Sequence, residues 1–367
     1  MTPPGDGAAV AVPVVAAADV LRSGLAPSSR RAYDRDWVVF AGWCARTGHR
    51  ALPAEPVAVA RFVTEAATAV RPDGRYAHTP SSLSRMVAGI NFAHRVAGVD
   101  QPGASVIVKA AMRGVRRDRG TPPRRMRALM LADLEETVAG IDVARWPVGV
   151  IGRRDRAMLL LGWTTALRAS SVVALRRSDL TLTPGQGRVV VRRSKTDQDA
   201  AGAVVVLPPA GDPRRCVACA VWEWIGLVDV WDAGDNVPDR YAHLAGRLFT
   251  AAASRPDKHV CRRAGEWPGD ERPLFRPVRK AGAIGDGALG PDVPYQVVKR
   301  RRTAAGLDAS GYGSHSLRAG FVTTALQRGI PTHRIMRQTL HTDPGTIEVY
   351  ARHHAPELAN AAMDLQL

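Results

Sequence analysis

A chain of 367 residues with 46 % hydrophobic side chains can bury two domain-sized cores, and its formal charge of +17 calls for a polyanionic partner such as DNA. No run approaches the ~20 apolar residues of a membrane span, and the apolar stretch 8–18 lacks a basic lead and contains Pro13, so it does not read as a signal peptide. No GxxxxGKS/T loop or HExxH pair occurs, and the sequence predicts chemistry that needs no nucleotide, metal or other cofactor.

Taken in chain order, residues 1–25 are rich in Pro, Gly and Ala and read as a flexible tail. Helical periodicity begins at Pro27-Ser28-Ser29, with Tyr33, Trp37, Phe40, Ala41 and Cys44 at mostly three- and four-residue steps, and Gly48 ends that helix. A second helix is predicted over 56–70. A third starts at Thr79-Pro80-Ser81-Ser82 and carries Leu83, Val87, Ile90 and His94 on one stripe, with His94 read as a packed core histidine. A shorter fourth covers 105–115. Residues 26–118 therefore read as a small all-helical domain. The aromatic cluster Tyr33, Trp37, Phe40 and Trp43 suits its core better than a base-stacking platform, because duplex DNA offers no free base faces.

From Arg116 to Arg127 the chain carries six arginines, two prolines and a glycine, a poor helix and a good basic strap; 119–127 is read as an inter-domain linker. Arg30, Arg31, Arg85, Arg116, Arg117, Arg124 and Arg125 are the candidate DNA contacts, placed where they could meet a phosphate backbone or groove.

The second domain, 128–367, mixes structure types. Helices are predicted over 155–165, 170–176 and 213–228, and two short strands at 187–192 and 203–207 flank a polar turn. The stretch 229–272 resists assignment. Helical patterns return at 293–305, 314–328 and 331–339, and Tyr350 falls on or beside a last short helix. The fold class expected is mainly α with a small β-hairpin or sheet.

The four cysteines, Cys44, Cys216, Cys219 and Cys261, form no dense framework and suit a reducing cytoplasm. Cys216-x-x-Cys219 admits a zinc reading with His259 and Cys261 as further ligands. With no second CxxC and no paired histidines at ligand spacing, the sequence favours two half-buried thiols at a helix start, and no metal is expected.

Six residues carry the chemistry: Arg168, Lys195, His315, Arg318, His341 and Tyr350. Attack on a phosphodiester by a protein oxygen needs an activated nucleophile, neutralisation of transition-state charge and a proton for the leaving oxygen. A phenol serves as nucleophile only in a strongly cationic pocket, and arginine's planar fork suits a phosphate. His315 and Arg318 are three apart and share a helix face, with Ser314 as the expected N-cap at a helix end where anions bind. Lys195 stands on the hairpin turn, within reach of a leaving oxygen.

In this order and spacing the chain resembles the tyrosine recombinase (phage integrase) family, over roughly residues 26–228 and 273–355. The resemblance rests on Arg168 in Thr165-Ala166-Leu167-Arg168, followed by Asp179, Lys195 in a hairpin, His315-Ser316-Leu317-Arg318, His341, and Tyr350 nine later. It implies a helical core-DNA-binding domain followed by a mixed α+β catalytic domain, acting as a site-specific DNA recombinase or integrase. In that reading Tyr350 forms a 3′-phosphotyrosine, Arg168 and Arg318 clamp the non-bridging oxygens, and His341 donates to the phosphate. His315 assists proton transfer and Lys195 protonates the leaving 5′ oxygen. The family also implies double-stranded DNA as partner, a tetramer on two DNA sites, a cytoplasmic, nucleoid-associated location and no ATP. Residues 360–367 could dock on a neighbouring subunit.

Two positions depart from the family pattern. Ser171 replaces the usual acidic residue three after the first arginine, and Leu340 replaces the usual glycine before the last histidine. Type IB topoisomerase-like relaxation, or a DNA-binding accessory protein that has lost catalysis, are the competing readings.

Overall fold

Prolines and hydroxyl caps open most of the helices in the first third of the chain, as their placement ahead of apolar stripes dictates. In a computed structural model that describes residues 14–120, 126–192, 202–233, 239–251 and 259–355, the chain divides into two compact units, Met1–Pro123 and Arg124–Leu367.

The first unit holds α1 (Val14–Ser23), α2 (Pro27–Thr47), α3 (Pro56–Thr68), α4 (Pro80–Val96) and α5 (Val106–Arg119). Residues 14–23 form a helix, not the tail expected there; Pro13 stands immediately before its start and only Gly24 follows as a breaker. α2 ends where Gly48 adopts φ 71°, a left-handed cap. Thr79 Oγ1 accepts the Ser82 N–H to open α4, and Ser105 does the same for Val108 in α5. Phe40, Phe62, Leu83 and Ile90 are buried to 3 % or less, with Phe40 and Phe62 edge to face at 5.2 Å. His94 is wholly buried: the Ala54 N–H donates to Nε2 at 2.8 Å, which leaves Nδ1–H to donate to Ile90 O.

α5 runs on through Arg116, Arg117 and Arg119, so the basic strap begins later than the sequence suggested. Arg119 closes the helix with its guanidinium over the Tyr76 ring at 3.6 Å and a hydrogen bond to His78 O. These contacts hold the cation within the unit, although its Nε is left without a hydrogen-bond partner among the described residues, and the helix continues past the arginine run.

The second unit contains α6 (Leu131–Ala139), α7 (Val148–Thr165), α8 (Ala169–Ala174), α9 (Val217–Ala233), α10 (Arg240–Ala251), α11 (Val293–Ala304), α12 (Ser314–Gln327), α13 (Thr332–Thr339) and α14 (Pro344–His354). Its antiparallel sheet has the order β3-β2-β1-β4, from β1 (Leu180–Thr183), β2 (Gln186–Val191), β3 (Ala203–Leu207) and β4 (Gly265–Glu266). Val189 pairs with Leu180 on one side and Val205 on the other, all three facing the core. β1 and β4 escaped the sequence reading because one has four residues and the other two, too few for an alternating pattern.

α7 is buried nearly all round and organises this core, which includes Met158, Leu161, Val172, Trp224 and Leu317. Asp155, fully buried in α7, accepts from Arg154, and from Arg300 and Arg301 of α11 at 2.5 and 2.7 Å. Residues 126–130 cross α12 at Gly320, where a Cβ would stand 1.6 Å from Leu129 O. The same crossing lets Leu129 N donate to Ser316 O and Trp163 Nε1 donate to Leu129 O, tying α12 to α7. Among the described residues, no helix is long and apolar enough to cross a membrane.

Candidate active site

Two helices end in left-handed residues that are not glycine. Ala166 (φ 49°) caps α7 and Leu340 (φ 56°) caps α13. Each ending aims a carbonyl at one guanidinium: Arg318 Nη1 donates to Ala166 O at 2.5 Å and to Thr339 O at 2.7 Å. The negative ends of two helix dipoles thus hold a cation that is only 3 % exposed. Gln338 fastens the same corner, its Nε2 donating to Thr164 O in α7 and Val206 O in β3 at 2.9 Å each.

Arg318 sits on the second turn of α12. The cap there is Gly313, not Ser314: the Gly313 N–H donates to Ser316 Oγ, and Ser314 is the first helical residue. Arg318 Nη2 is buried without a hydrogen-bond partner among the described residues. Burial first, then the charge of Arg168, pulls the Arg318 pKa down to about 10, while the phenol of Tyr350 beside it opposes that shift. Arg318 therefore remains a cation at neutral pH, with one face of its fork unspent.

Arg168, at the N-terminus of α8, is half-buried and near enough to act electrostatically on both Arg318 and His341. Among the described residues no carboxylate pairs with it; position 171, one turn on, is the half-buried Ser171. His341 is 8 % exposed, and its Nδ1 lies 2.6 Å from Thr339 Oγ1. Burial, and then Arg318, Arg168 and His315, drive its pKa down to about 3, so the imidazole is neutral. His315 is exposed on the first turn of α12.

Tyr350 lies on α14, whose start is set by Pro344 and by Asp343 Oδ1 accepting from the Gly345 N–H. The ring is 9 % exposed, edge-on to His341 at 5.9 Å and stacked near His354 at 6.3 Å, and it packs with Val322, Ile335 and Ile347. Five of the six expected residues are thus brought together: Arg168, His315, Arg318, His341 and Tyr350. Lys195 lies outside the described residues, although the strands on either side of its segment, β2 and β3, pair as a hairpin. What results is a pocket with two guanidiniums, a neutral imidazole and a phenol, an arrangement fit to bind a phosphodiester and attack it.

No protein-family model matches the chain. A protein of Selenomonas ruminantium described as an integrase/recombinase xerD homolog is 29 % identical over 341 residues, covering 90 % of this chain and 83 % of the relative. The fold of the first and second units is that of the tyrosine recombinases. The chain shares it with the Tn1549 transposon integrase, solved in complex with transposon right-end DNA, at TM-score 0.53 and 12 % identity over 96 % of this chain and 97 % of that one. The same integrase with a circular-intermediate DNA gives 0.50 at 11 % identity, over 96 % and 98 % of the two chains.

Of the other recombinase-like features, Arg30 and Arg31 are exposed on the first turns of α2, and Arg117 is exposed on α5. Arg85 is less free than expected: its Nη1 donates to the buried Asp36 at 2.6 Å, and Arg116 Nη2 donates to Ser84 Oγ. Arg124, Arg125 and residues 360–367 lie outside the described residues. Lys109 and Arg113, with Arg116, line a groove between α4 and α5. The sequence reading passed over the first two, although their i, i+4, i+7 spacing with Arg116 marks one helix face. It also missed Thr339, a hydroxyl two residues before a site histidine. Cys216 and Cys219 are not half-buried thiols but 0 % and 3 % exposed, and they meet His259 and Cys261.

Proposed function

We propose that this chain is a site-specific DNA recombinase that cuts and rejoins DNA through a 3′-phosphotyrosine at Tyr350. The observation that carries the assignment is Tyr350 lying beside the half-satisfied Arg318 fork, with Arg168 and His341 alongside and no carboxylate pairing with either arginine among the described residues. Such a pocket has surplus positive charge that a phosphodiester would neutralise. The relationship to an integrase/recombinase, and a shared fold with an integrase solved on DNA, support the same reading.

Tyr350 Oη forms the new bond to phosphorus as the bond to the 5′ oxygen breaks. Arg168 and Arg318 hold the non-bridging oxygens, on which charge builds. His341 donates a hydrogen bond to one of them. His315 at the pocket rim carries the phenol proton away, and Lys195 gives a proton to the 5′ oxygen. The bond energy is kept in the phosphotyrosine, so a 5′-hydroxyl from a second duplex reverses the step without ATP. Exchange between two duplexes calls for four copies of the chain, one per strand cut, working on nucleoid DNA in the cytoplasm. The exposed arginines of α2 and α5 supply backbone contacts, so binding should weaken steeply with salt.

The test is a pair of labelled duplexes carrying the candidate target site, alongside a supercoiled plasmid without it. Strand exchange between the duplexes is the expected result. Plasmid relaxation with no exchange would place the chain with type IB topoisomerases, and site binding with neither would leave an accessory DNA-binding protein.

A further inference from the structure

The buried meeting of Cys216, Cys219, His259 and Cys261 lies apart from the chemistry above. Their ligand atoms, three Sγ and one imidazole nitrogen, all fall within 4.8 Å of one another. Cys219 Sγ is 3.8 Å from Cys261 Sγ and 3.4 Å from His259 Nε2. A disulfide would need about 2.05 Å between sulfurs, and all four cysteines of the chain are free thiols. A tetrahedral ion with metal–sulfur bonds of about 2.3 Å and a metal–nitrogen bond of about 2.05 Å has edges of about 3.8 Å between sulfurs and about 3.6 Å from sulfur to nitrogen. The two separations lie within about 0.2 Å of those edges.

The geometry points to a structural zinc site formed by Cys216, Cys219, His259 and Cys261. Three thiolates and an imidazole are a borderline-soft donor set that takes Zn2+ in preference to magnesium or calcium, which need oxygen ligands. Burial supports a closed site: the three cysteines are 0 %, 3 % and 2 % exposed and His259 is half-buried, which leaves no open position for a substrate. The backbone supplies the surrounding shell. N–H groups of Ala210 and Cys219 are directed at the Cys216 sulfur and that of Arg263 at the Cys261 sulfur, while Cys261 O accepts from Gly185 N at 2.9 Å in the β1–β2 turn.

The position explains what such an ion would do. Cys216 immediately precedes α9 and Cys219 lies in its first turn; His259 and Cys261 lie on the segment leading to β4. The ion would close the excursion between α9 and β4 that contains α10, and fix its return to the sheet. α10 has its own tie to the core, where Arg153 Nη2 donates to Leu248 O at 2.9 Å. The ion is a staple and not part of phosphoryl transfer, so the inference holds whatever reaction the chain performs.

The full chain, purified with reductant and supplied with zinc, should carry about one zinc per chain by elemental mass spectrometry. After chelation, titration with Co2+ should give the intense visible bands of a tetrahedral ion together with thiolate-to-cobalt charge transfer, and Zn2+ should bleach both. Cys261→Ser should weaken retention at least tenfold, while Cys44→Ser, in the other unit, should leave it unchanged. The cobalt spectrum on the unmodified chain decides the matter even where a cysteine variant fails to fold. Less than about a tenth of an equivalent of zinc with no thiolate–cobalt band would overturn the proposal. So would a Cys219–Cys261 disulfide found by mass spectrometry under reducing purification.

Discussion

Thr339 Oγ1 stands 2.6 Å from His341 Nδ1 and 2.9 Å from Ile335 O. One hydroxyl proton cannot serve both. When it points at Ile335 O, the oxygen accepts from Nδ1–H and the imidazole presents a bare Nε2 lone pair. When it turns to Nδ1, the proton sits on Nε2, where it can be donated to a phosphoryl oxygen. Because burial keeps this imidazole neutral, the rotation of one hydroxyl selects its tautomer.

Thr339→Val, close in shape, removes that selection. Cleavage of a nicked DNA substrate should slow about tenfold, equivalent to about 1.4 kcal/mol, and Thr339→Ser should restore most of the rate. A valine variant as fast as wild type would show that His341 needs no hydroxyl to direct it.

Leu340 is held at φ 56°, ψ 39°, where a side chain costs about 1–2 kcal/mol. It also packs against the core of the second unit. Replacing it by glycine trades lost burial for relieved strain, and urea unfolding should place Leu340→Gly within about 1 kcal/mol of wild type. Leu340→Val keeps most of the apolar surface but puts a β-branched residue at positive φ, and should lose more than the glycine variant. The reverse order would mean that packing, not backbone geometry, governs this cap.

The depressed pKa of His341 gives stability a definite pH dependence. Above about 6.5 the imidazole is neutral in both folded and unfolded chains, and folding is unaffected. Below that the unfolded chain takes up a proton that the folded chain refuses until about pH 3. Each unit in that window costs about 1.4 kcal/mol from this one group. His94 and His78, both lowered by burial first, act in the same direction. Chemical denaturation at pH 7.5 and pH 5 should show the loss, and His341→Gln should make the slope shallower. An unchanged slope in that variant would contradict a neutral, desolvated His341.

Much of this site could be read before folding because its parts repeat local rules. The i, i+3 spacing puts His315 and Arg318 on one helix, Pro27 and Thr79 mark helix starts, and Gly48 marks an end. What could not be read depends on pairings between distant segments. Asp36 claims Arg85 from 49 residues away, Ala166 O reaches Arg318 across 152, and Cys219 meets His259 across 40. Spacing carries no trace of such contacts. β1, β4 and α10 were missed for a related reason: the strands are short, and α10 sits in a stretch whose Gly, Pro and charge mask the apolar step. The departure at Leu340 was visible in the sequence, but its meaning came only with the left-handed backbone it must adopt.

The central claim is that the Tyr350 phenol becomes joined to DNA. A duplex carrying the candidate target site with a bridging 5′-phosphorothiolate at the cleavage position traps that state, because the released thiol attacks back poorly. Wild-type chain should give a protein–DNA adduct on a denaturing gel, and Tyr350→Phe should bind the same duplex yet give none. An adduct that persists in the phenylalanine variant, or wild-type binding without any adduct, would contradict the assignment.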